Sequence, residues 1–315
     1  MLDVLCVGHA SYDITMAASH HPGADEKIVA DSIQLAGGGP AANAAVCIAR
    51  LGGVACFCGY LGHDLFGDKH LEELQAEGVD TSLVVRGAHP TPVSQILAKP
   101  DGTRSLVNFK GQTPWLAEHA VAVSHVPKVM LFDGHEPLLS LRLCRWARQH
   151  SIATLLDAGS LHRGTAELAG EVDYLVASEK FARQWCKTDD MGKALDELSA
   201  LSSCVVITQG DKGLIWSRDG KQGRLPAFNI DAVDSTGAGD AFHGAFAYGL
   251  TQDLTWLDLL RYASAAGALS CTTLGARPSL PGSGQLQVLL AADYSAETVS
   301  SDIQKLQVTP IVANR

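Results

Sequence analysis

The chain has 315 residues, of which 46% are apolar and 18% charged, enough core material for one large α/β domain or two smaller ones and too little charge for a disordered chain. Its 34 acidic residues outnumber 24 basic ones, and the net charge of −10 argues against a general nucleic-acid or anionic-membrane surface while leaving room for a local anion site. The eight cysteines are scattered without a Cys-x-x-Cys spacing, no apolar run reaches the roughly 18 residues of a membrane span, and Asp3 interrupts too short an apolar start for a signal peptide; a soluble, cytoplasmic protein with reduced thiols is expected.

In chain order, Leu2–Val7 is a short apolar run ending at Gly8, the pattern of a buried strand. Residues 12–35 are polar and irregular, and Ser32–Ala36 makes a poor strand. Gly37-Gly-Gly-Pro40 opens a helix from Ala41 to about Leu51, with Pro40 suited to the first helical position. Ala55–Gly59 reads as a strand and Leu65–Glu77 as an amphipathic helix stopped by Gly78. Val93–Ala98 and Thr103–Phe109 are strand-like, and Lys99-Pro-Asp-Gly102 between them signals a hairpin; with the 12–35 strip they make a small projecting sheet.

From Val126 onward strands alternate with helices. Val129–Phe132 precedes Leu138–His150, Thr154–Leu156 a short helix near 165–169, Tyr174–Val176 a helix over Glu179–Trp185, and a helix over 190–201 leads into Val205–Thr208. This alternation predicts a mostly parallel sheet covered on both faces. Leu214–Ser217 and Gly223–Pro226 form a second hairpin, followed by helices near 240–250, 254–270 and 284–292.

The most informative segment is Asp231–Gly244. Thr236, Gly237, Ala238 and Gly239 bring bare backbone to the start of an apolar helix, where free N–H groups and the helix dipole suit an anion. Asp240 in the first turn could accept a proton from a hydroxyl beside it. The combination points to phosphoryl transfer to an alcohol.

A second segment, Gly37–Asn43, places one amide, Asn43, in an otherwise apolar helix start; either it bonds to the glycine loop or it holds a ligand hydroxyl. Gly37-x-Gly39-x-x-Ala42 with Asp64 about twenty residues on also fits a loose dinucleotide fingerprint, but the glycines do not follow the first strand of a βαβ unit. No Walker-type phosphate loop, zinc-protease helix, nucleophile elbow or metal-spaced histidine set occurs.

Gly37-Gly-Gly-Pro-Ala-Ala-Asn43 and Asp234-Ser-Thr-Gly-Ala-Gly-Asp240 resemble the two signatures of the ribokinase (PfkB) family of carbohydrate kinases, and Thr208–Gly213 and Gly275–Pro281 extend the resemblance over nearly the whole chain. It implies a three-layer αβα sandwich with a mostly parallel central sheet and a small β-lid, here a single domain over 1–300 with the lid from about 12–36 and 83–112. Residues 301–315 read as a weakly structured tail.

The resemblance implies Asp240 as the base and the N–H groups of Gly237, Ala238 and Gly239 as the anion hole. Asp13, Gly38, Gly39 and Asn43 would hold the sugar; Ser178, Thr208, Gly210, Gly213 and Thr236 would lie on the nucleotide side. Asp234 and Ser279 fall where many members bind a monovalent cation such as K+. ATP and Mg2+ would be the cofactors, with Glu179 a magnesium ligand, since Ser178 and Phe181 replace the family's Asn-x-x-Glu pattern.

Within the family, the motifs are similar to those of 6-deoxy-6-sulfofructose kinases. Lys27 and Asn108 fall where those enzymes contact the sulfonate end, with His135 in place of an expected arginine. The function implied is ATP-dependent phosphorylation of a primary hydroxyl of a ketose or related sugar, neutral or anionic, by a homodimer paired through its lids. A nucleoside kinase of the same fold, a non-catalytic sugar-binding relative and a dinucleotide-binding oxidoreductase are the alternatives.

Overall fold

The computed structural model describes residues 1–99 and 103–293. The turn Pro100-Asp-Gly102 and the expected tail at 301–315 lie outside the described residues. The strands of the main body are β1 (Val4–Val7), β4 (Ala55–Cys58), β9 (Val129–Phe132), β10 (Ala153–Ala158), β11 (Tyr174–Ser178), β12 (Cys204–Thr208), β13 (Leu214–Arg218) and β14 (Lys221–Leu225). They form one eight-stranded sheet in the order β14-β13-β12-β11-β10-β9-β1-β4. All pairs from β4 to β12 are parallel; the β12–β13–β14 hairpin edge is antiparallel.

Strand alternation divides the core. In β1, Val4 and Cys6 face a layer containing α1 (Pro40–Arg50), α7 (Ala238–Gly249) and α8 (Trp256–Ser270), while Leu5 and Val7 face α3 (Pro137–Gln149), α4 (Arg163–Leu168), α5 (Glu179–Cys186) and α6 (Met191–Leu198). A strand buried on both faces must be apolar throughout, which is why these runs carry no polar alternation. Cys56 and Cys58 point to the same face, and all eight cysteines are free thiols. No helix among the described residues is long and apolar enough to cross a membrane.

The supposedly irregular strip is ordered. β2 (Ser11–Ala17) and β3 (Ser32–Gly38) pair antiparallel, and β2 pairs in parallel with β7 (Val93–Ala98), which pairs with β8 (Arg104–Phe109). This four-stranded sheet, order β3-β2-β7-β8, is the lid. Ser32–Ala36 is therefore a strand after all; its half-exposed residues lack the apolar run of a core strand because one face meets solvent. Two short strands, β5 (Tyr60–Gly62) and β6 (Val85–Gly87), and α2 (Leu65–Ala76) brace the region beneath the lid. Asp64, the acid of the loose dinucleotide fingerprint, caps α2 by accepting from Gly67 N–H and also holds Thr91, so it is not free for a ribose. A short helix α9 (Ala276–Ser279) and a helical stretch over 283–293 complete the described chain.

Candidate active site

In a sheet of this kind, ligands sit beyond the carboxyl ends of the parallel strands. Asp133, immediately after β9, organises that edge. Its carboxylate accepts the N–H groups of His9 (2.7 Å), His135 (2.9 Å) and Ala41 (3.2 Å), tying the ends of β1 and β9 to the start of α1.

Asp240 stands in the first turn of α7. Its Oδ2 accepts from Asn43 Nδ2 at 2.6 Å, and Asn43 Oδ1 accepts from Arg277 Nε at 3.0 Å. The Asn43 backbone N–H bonds to the glycine loop, donating to Gly39 C=O at 2.8 Å, while the two ends of its side-chain amide join Asp240 to Arg277. Arg277 is 2% exposed, and its Nη2 donates to His70 Nε2 at 3.1 Å. That contact requires a lone pair on Nε2, and burial with the Arg277 charge holds His70 well below the usual imidazole range. Burial pushes the Asp240 carboxyl up, opposed by the Asn43 bond. A carboxylate so placed is a better proton acceptor than one in water.

The preceding turn is built for bare backbone. Gly237 adopts φ 83°, and a Cβ there would lie 2.9 Å from Ala276. With α7 starting at Ala238, the N–H groups of Gly239 and Asp240 have no carbonyl of their own helix to bond. Ala238 N–H makes a long, 3.3 Å contact to Ser235 C=O.

Beside this turn opens a cleft of about 550 Å³, within the range of small-ligand sites. Its walls include Thr208, Gly210 and Gly213 on one side, and Ala238, Gly239 and Phe242 on the other. Three of the residues expected on the nucleotide side therefore meet the phosphate-type turn in one cavity. Ser178 is not part of its wall: it caps α5, accepting from Phe181 N–H at 3.0 Å and donating to Gly159 C=O at 2.9 Å. Glu179 pairs with Arg183 at 2.8 Å and lies 3.7 Å from Lys212, in the turn beside the cleft. Among the described residues no group of three His, Cys, Asp or Glu side chains is arranged to hold a metal.

The expected monovalent-cation site does not fit its residues. Asp234 Oδ1 accepts from Thr236 N–H (2.9 Å), the Thr236 hydroxyl (2.6 Å) and Arg104 Nη1 (3.3 Å), and Oδ2 accepts from Gly275 N–H (2.9 Å). The Ser279 hydroxyl donates to Ala276 C=O at 2.9 Å. Arg104, reaching from lid strand β8, also donates to the Thr236 hydroxyl at 2.5 Å. A guanidinium already balances the carboxylate that a cation such as K+ would need, and Thr236 is part of this clasp rather than of the cleft wall.

The lid's pairing register decides what faces inward. Asp13, Ser94 and Asn108 lie opposite one another across β2, β7 and β8, so they share a face, as do Arg104 and Leu106. Gly38 approaches Asp13 so closely that a Cβ would lie 2.2 Å from its carboxylate; Gly39 likewise has φ 96°, with a Cβ 2.5 Å from His9 C=O. Burial raises the Asp13 carboxyl, and bonds from Ser11 and Ser94 oppose this. His135 stacks on His162 (4.7 Å), meets the tilted ring of His9 (4.8 Å), and shares a small pocket with Lys110 and Glu136. Asn108 lines the neighbouring pocket, which also reaches Lys110. Lys27 is exposed in the loop joining β2 to β3, and among the described residues no bond links it to Asn108 or His135.

Four participants escaped the sequence reading. Arg277 lies in the Gly275–Pro281 stretch whose resemblance was noticed, but nothing local marks an arginine as buried. Arg104 reads as an ordinary hairpin charge, and Asp133 and Ser94 as ordinary strand-end and strand polar groups. Each becomes legible only through partners more than 75 positions away in the chain.

The chain matches the model of the pfkB family carbohydrate kinases over residues 1–282. It is 28% identical over 296 residues to ribokinase of Bacillus subtilis, covering 92% of this chain and 100% of that one. Fructokinase-1 of Oryza sativa subsp. japonica is 30% identical over 277 residues, covering 78% and 85%. The structure of Arabidopsis thaliana ribokinase complexed with ribose and ATP superposes with a TM-score of 0.80 at 25% identity, covering 92% of this chain and 99% of that one. With a ribokinase-like fold, an aspartate beside a glycine turn and a family match over most of its length, the chain belongs to the pfkB family of carbohydrate kinases, phosphotransferases that act on an alcohol group.

Proposed function

We propose that this enzyme transfers the γ-phosphoryl group of ATP to a primary hydroxyl of a ketose or closely related sugar, with Asp240 as the base. The observation that carries the reading is the position of Asp240: it is fixed by Asn43 at 2.6 Å and stands one residue after Gly239, which lines the cleft. The sugar hydroxyl gives its proton to Asp240 as its oxygen attacks the γ-phosphorus, and the bond to the β-phosphate oxygen breaks. The N–H groups of the Gly237–Gly239 turn, aligned with the α7 dipole, stabilise the charge gathered on the transferring group.

Thr208, Gly210 and Gly213 lie on the nucleotide's side. Asp13, Gly38, Gly39, Asn43 and Asn108 hold the sugar beneath the lid, a reading supported by the shared inward face of Asp13 and Asn108. His135 meets the end of the sugar far from Asp240, and Lys27 reaches an anionic substituent there if the substrate carries one. Magnesium bound with the nucleotide neutralises phosphate charge; Glu179 beside Lys212, and Asp211 in the cleft wall, suit an ion held mainly by phosphates and water. Residues 1–300 act as one domain. Ile33, Leu35, Val107 and Phe109, all 55–70% exposed, share the lid's outer face and support pairing of two lids in a cytoplasmic homodimer.

The test is Asp240→Asn. It keeps the Asn43 contact possible and removes the base, so kcat falls roughly 10²–10⁴-fold while ATP–Mg2+ still raises the melting temperature. Wild-type turnover by that variant would overturn the assignment. A panel of ketoses, aldoses and anionic sugars assayed for ATP consumption identifies the acceptor.

A further inference from the structure

Arg277 is the largest fully buried side chain among the described residues. Burying a guanidinium is costly, so its placement calls for a reason. Gly275, at φ 85°, turns the chain into α9, and Arg50 Nη1 pins that short helix by donating to the Arg277 and Leu280 carbonyl oxygens at 3.0 and 2.9 Å. Gly37 makes the room: a Cβ there would lie 2.5 Å from the ring of His70, which accepts from Arg277 Nη2. The guanidinium is not placed for a contact ion pair. Its Nη1 is buried without a hydrogen bond to any described residue, and Glu73 Oε1 stays 3.9 Å away. What the fold fixes instead is Arg277 Nε, 3.0 Å from Asn43 Oδ1.

A side-chain amide can be set either way round, since its carbonyl and NH2 ends have nearly the same shape. One way round, Asn43 donates to an ionised Asp240. The other way round, its carbonyl accepts from a protonated one, so the amide alone suits Asp240 in either state. Arg277 removes that choice. A guanidinium only donates, so Asn43 must turn Oδ1 to Nε and Nδ2 to Asp240. Reversal would set N–H against N–H at one end and a lone pair against the carboxylate at the other. The bond from Nδ2 falls on Oδ2 at 2.6 Å, and no other bond from a described residue engages the Asp240 carboxylate. Oδ1 is therefore left to receive a proton.

We propose that Arg277 is a positioning residue for phosphoryl transfer: it locks the Asn43 amide as a one-way donor, so that Asp240 is held as an acceptor with Oδ1 open to the sugar hydroxyl. This role rests on the reading of Asp240 as the base. Electrostatics act in the same direction, since Asn43 and the Arg277 charge both oppose the upward push of burial on Asp240. The other charged and titratable groups around the pair are Glu73, Glu77 and His70 on α2, Arg50 on α1, Asp13 on β2, Asp133 after β9 and His243 on α7.

Two substitutions separate the donor from the charge. In Arg277→Gln, the side-chain nitrogen replaces Nε at the same bond count from Cα, keeping the donor and losing the charge. In Arg277→Lys, a methylene takes that place, keeping the charge and losing the donor. With the acceptor sugar found by ATP consumption, Arg277→Lys should lose kcat roughly tenfold or more with KM for ATP unchanged, and the acid limb of kcat/KM should move up by about one pH unit. Arg277→Gln should keep kcat within about threefold of the wild type. Wild-type kcat in Arg277→Lys, or an equal loss in the two variants, overturns the proposal. The amide's orientation is also read without turnover, in full-length wild-type protein with 15N-labelled asparagine, of which the chain has four. With Asn43 assigned by its loss in Asn43→Ala, one Nδ2 proton is expected far downfield, against the carboxylate, with a shift constant from pH 6 to pH 8.5. A pair of Asn43 Nδ2 protons like that of exposed Asn229 overturns the proposal even if the Arg277 variants fold poorly. Failure of the base reading would show separately, as retained activity in Asp240→Asn.

Discussion

Asn43→Ala separates the two ends of the buried relay. The substitution removes a donor to the Asp240 carboxylate (2.6 Å) and an acceptor for Arg277 Nε (3.0 Å). A hydrogen bond to an ionised group contributes about 1.5–3 kcal/mol, and leaving a buried donor unpaired costs about 1–3 kcal/mol. Alanine regains roughly 0.5 kcal/mol of helix propensity in α1. The net loss is about 3 kcal/mol, which at a urea slope of about 3 kcal/mol/M lowers the unfolding midpoint by about 1 M. The kinetic consequence has a definite sign. Burial already raises the Asp240 carboxyl and Asn43 opposes that rise, so removing the amide raises it further. The acid limb of kcat/KM therefore moves to higher pH, activity is lost most at acidic pH, and it recovers in part as the pH rises. In a double-mutant cycle with Arg277→Met, the two losses should overlap by about 1–3 kcal/mol. An unchanged urea midpoint together with an unchanged pH–rate profile would refute the relay.

Three further outcomes are expected. Gly38→Ala drives a methyl into the Asp13 carboxylate, an overpacking of about 1–3 kcal/mol directed at the sugar side, so KM for the sugar rises roughly tenfold while the ATP-induced thermal shift is unchanged. Glu136→Gln keeps an acceptor for Leu116 N–H (2.6 Å) and removes a carboxyl that burial raises to about 7. A carboxyl raised on folding costs stability as pH climbs from its unfolded value, near 4.3, through about 7, so urea midpoints should show the variant more stable than wild type by up to about 3 kcal/mol at pH 8 and little different at pH 4. Arg104→Met removes the cation at Asp234: wild-type rates should be the same in potassium and in tetramethylammonium salts, whereas the variant should lose activity and regain part of it with potassium alone.

Much of the fold was legible because it is local. Two-faced apolar runs such as Val129–Phe132 and Val205–Thr208 can be little else than buried parallel strands, and amphipathic stretches between them supply the covering helices. The exceptions were β2 and β3 in the strip read as irregular, and the short β5 and β6. β3, for one, carries no core pattern, since its hydrogen bonds go to β2 and one of its faces meets solvent, and no local rule distinguishes that from a loop. The site followed the same division. Gly237–Asp240 announced itself because a glycine turn, a helix start and an acid are contiguous.

By itself, then, the sequence determined the strand–helix layering and the glycine turn with its carboxylate, and the resemblance of Gly37–Asn43 and Asp234–Asp240 to the two signatures of one family marked them as belonging together. The tertiary structure alone decided how that carboxylate is held: Asn43 reaches Asp240 across 197 positions and Arg277 reaches Asn43 across 234, while Arg104 crosses 130 to neutralise Asp234. The reason is physical. A turn's backbone conformation is set by its neighbours in the chain, but the charge state and orientation of a buried side chain are set by whatever packing brings against it, and burial makes those few contacts decisive.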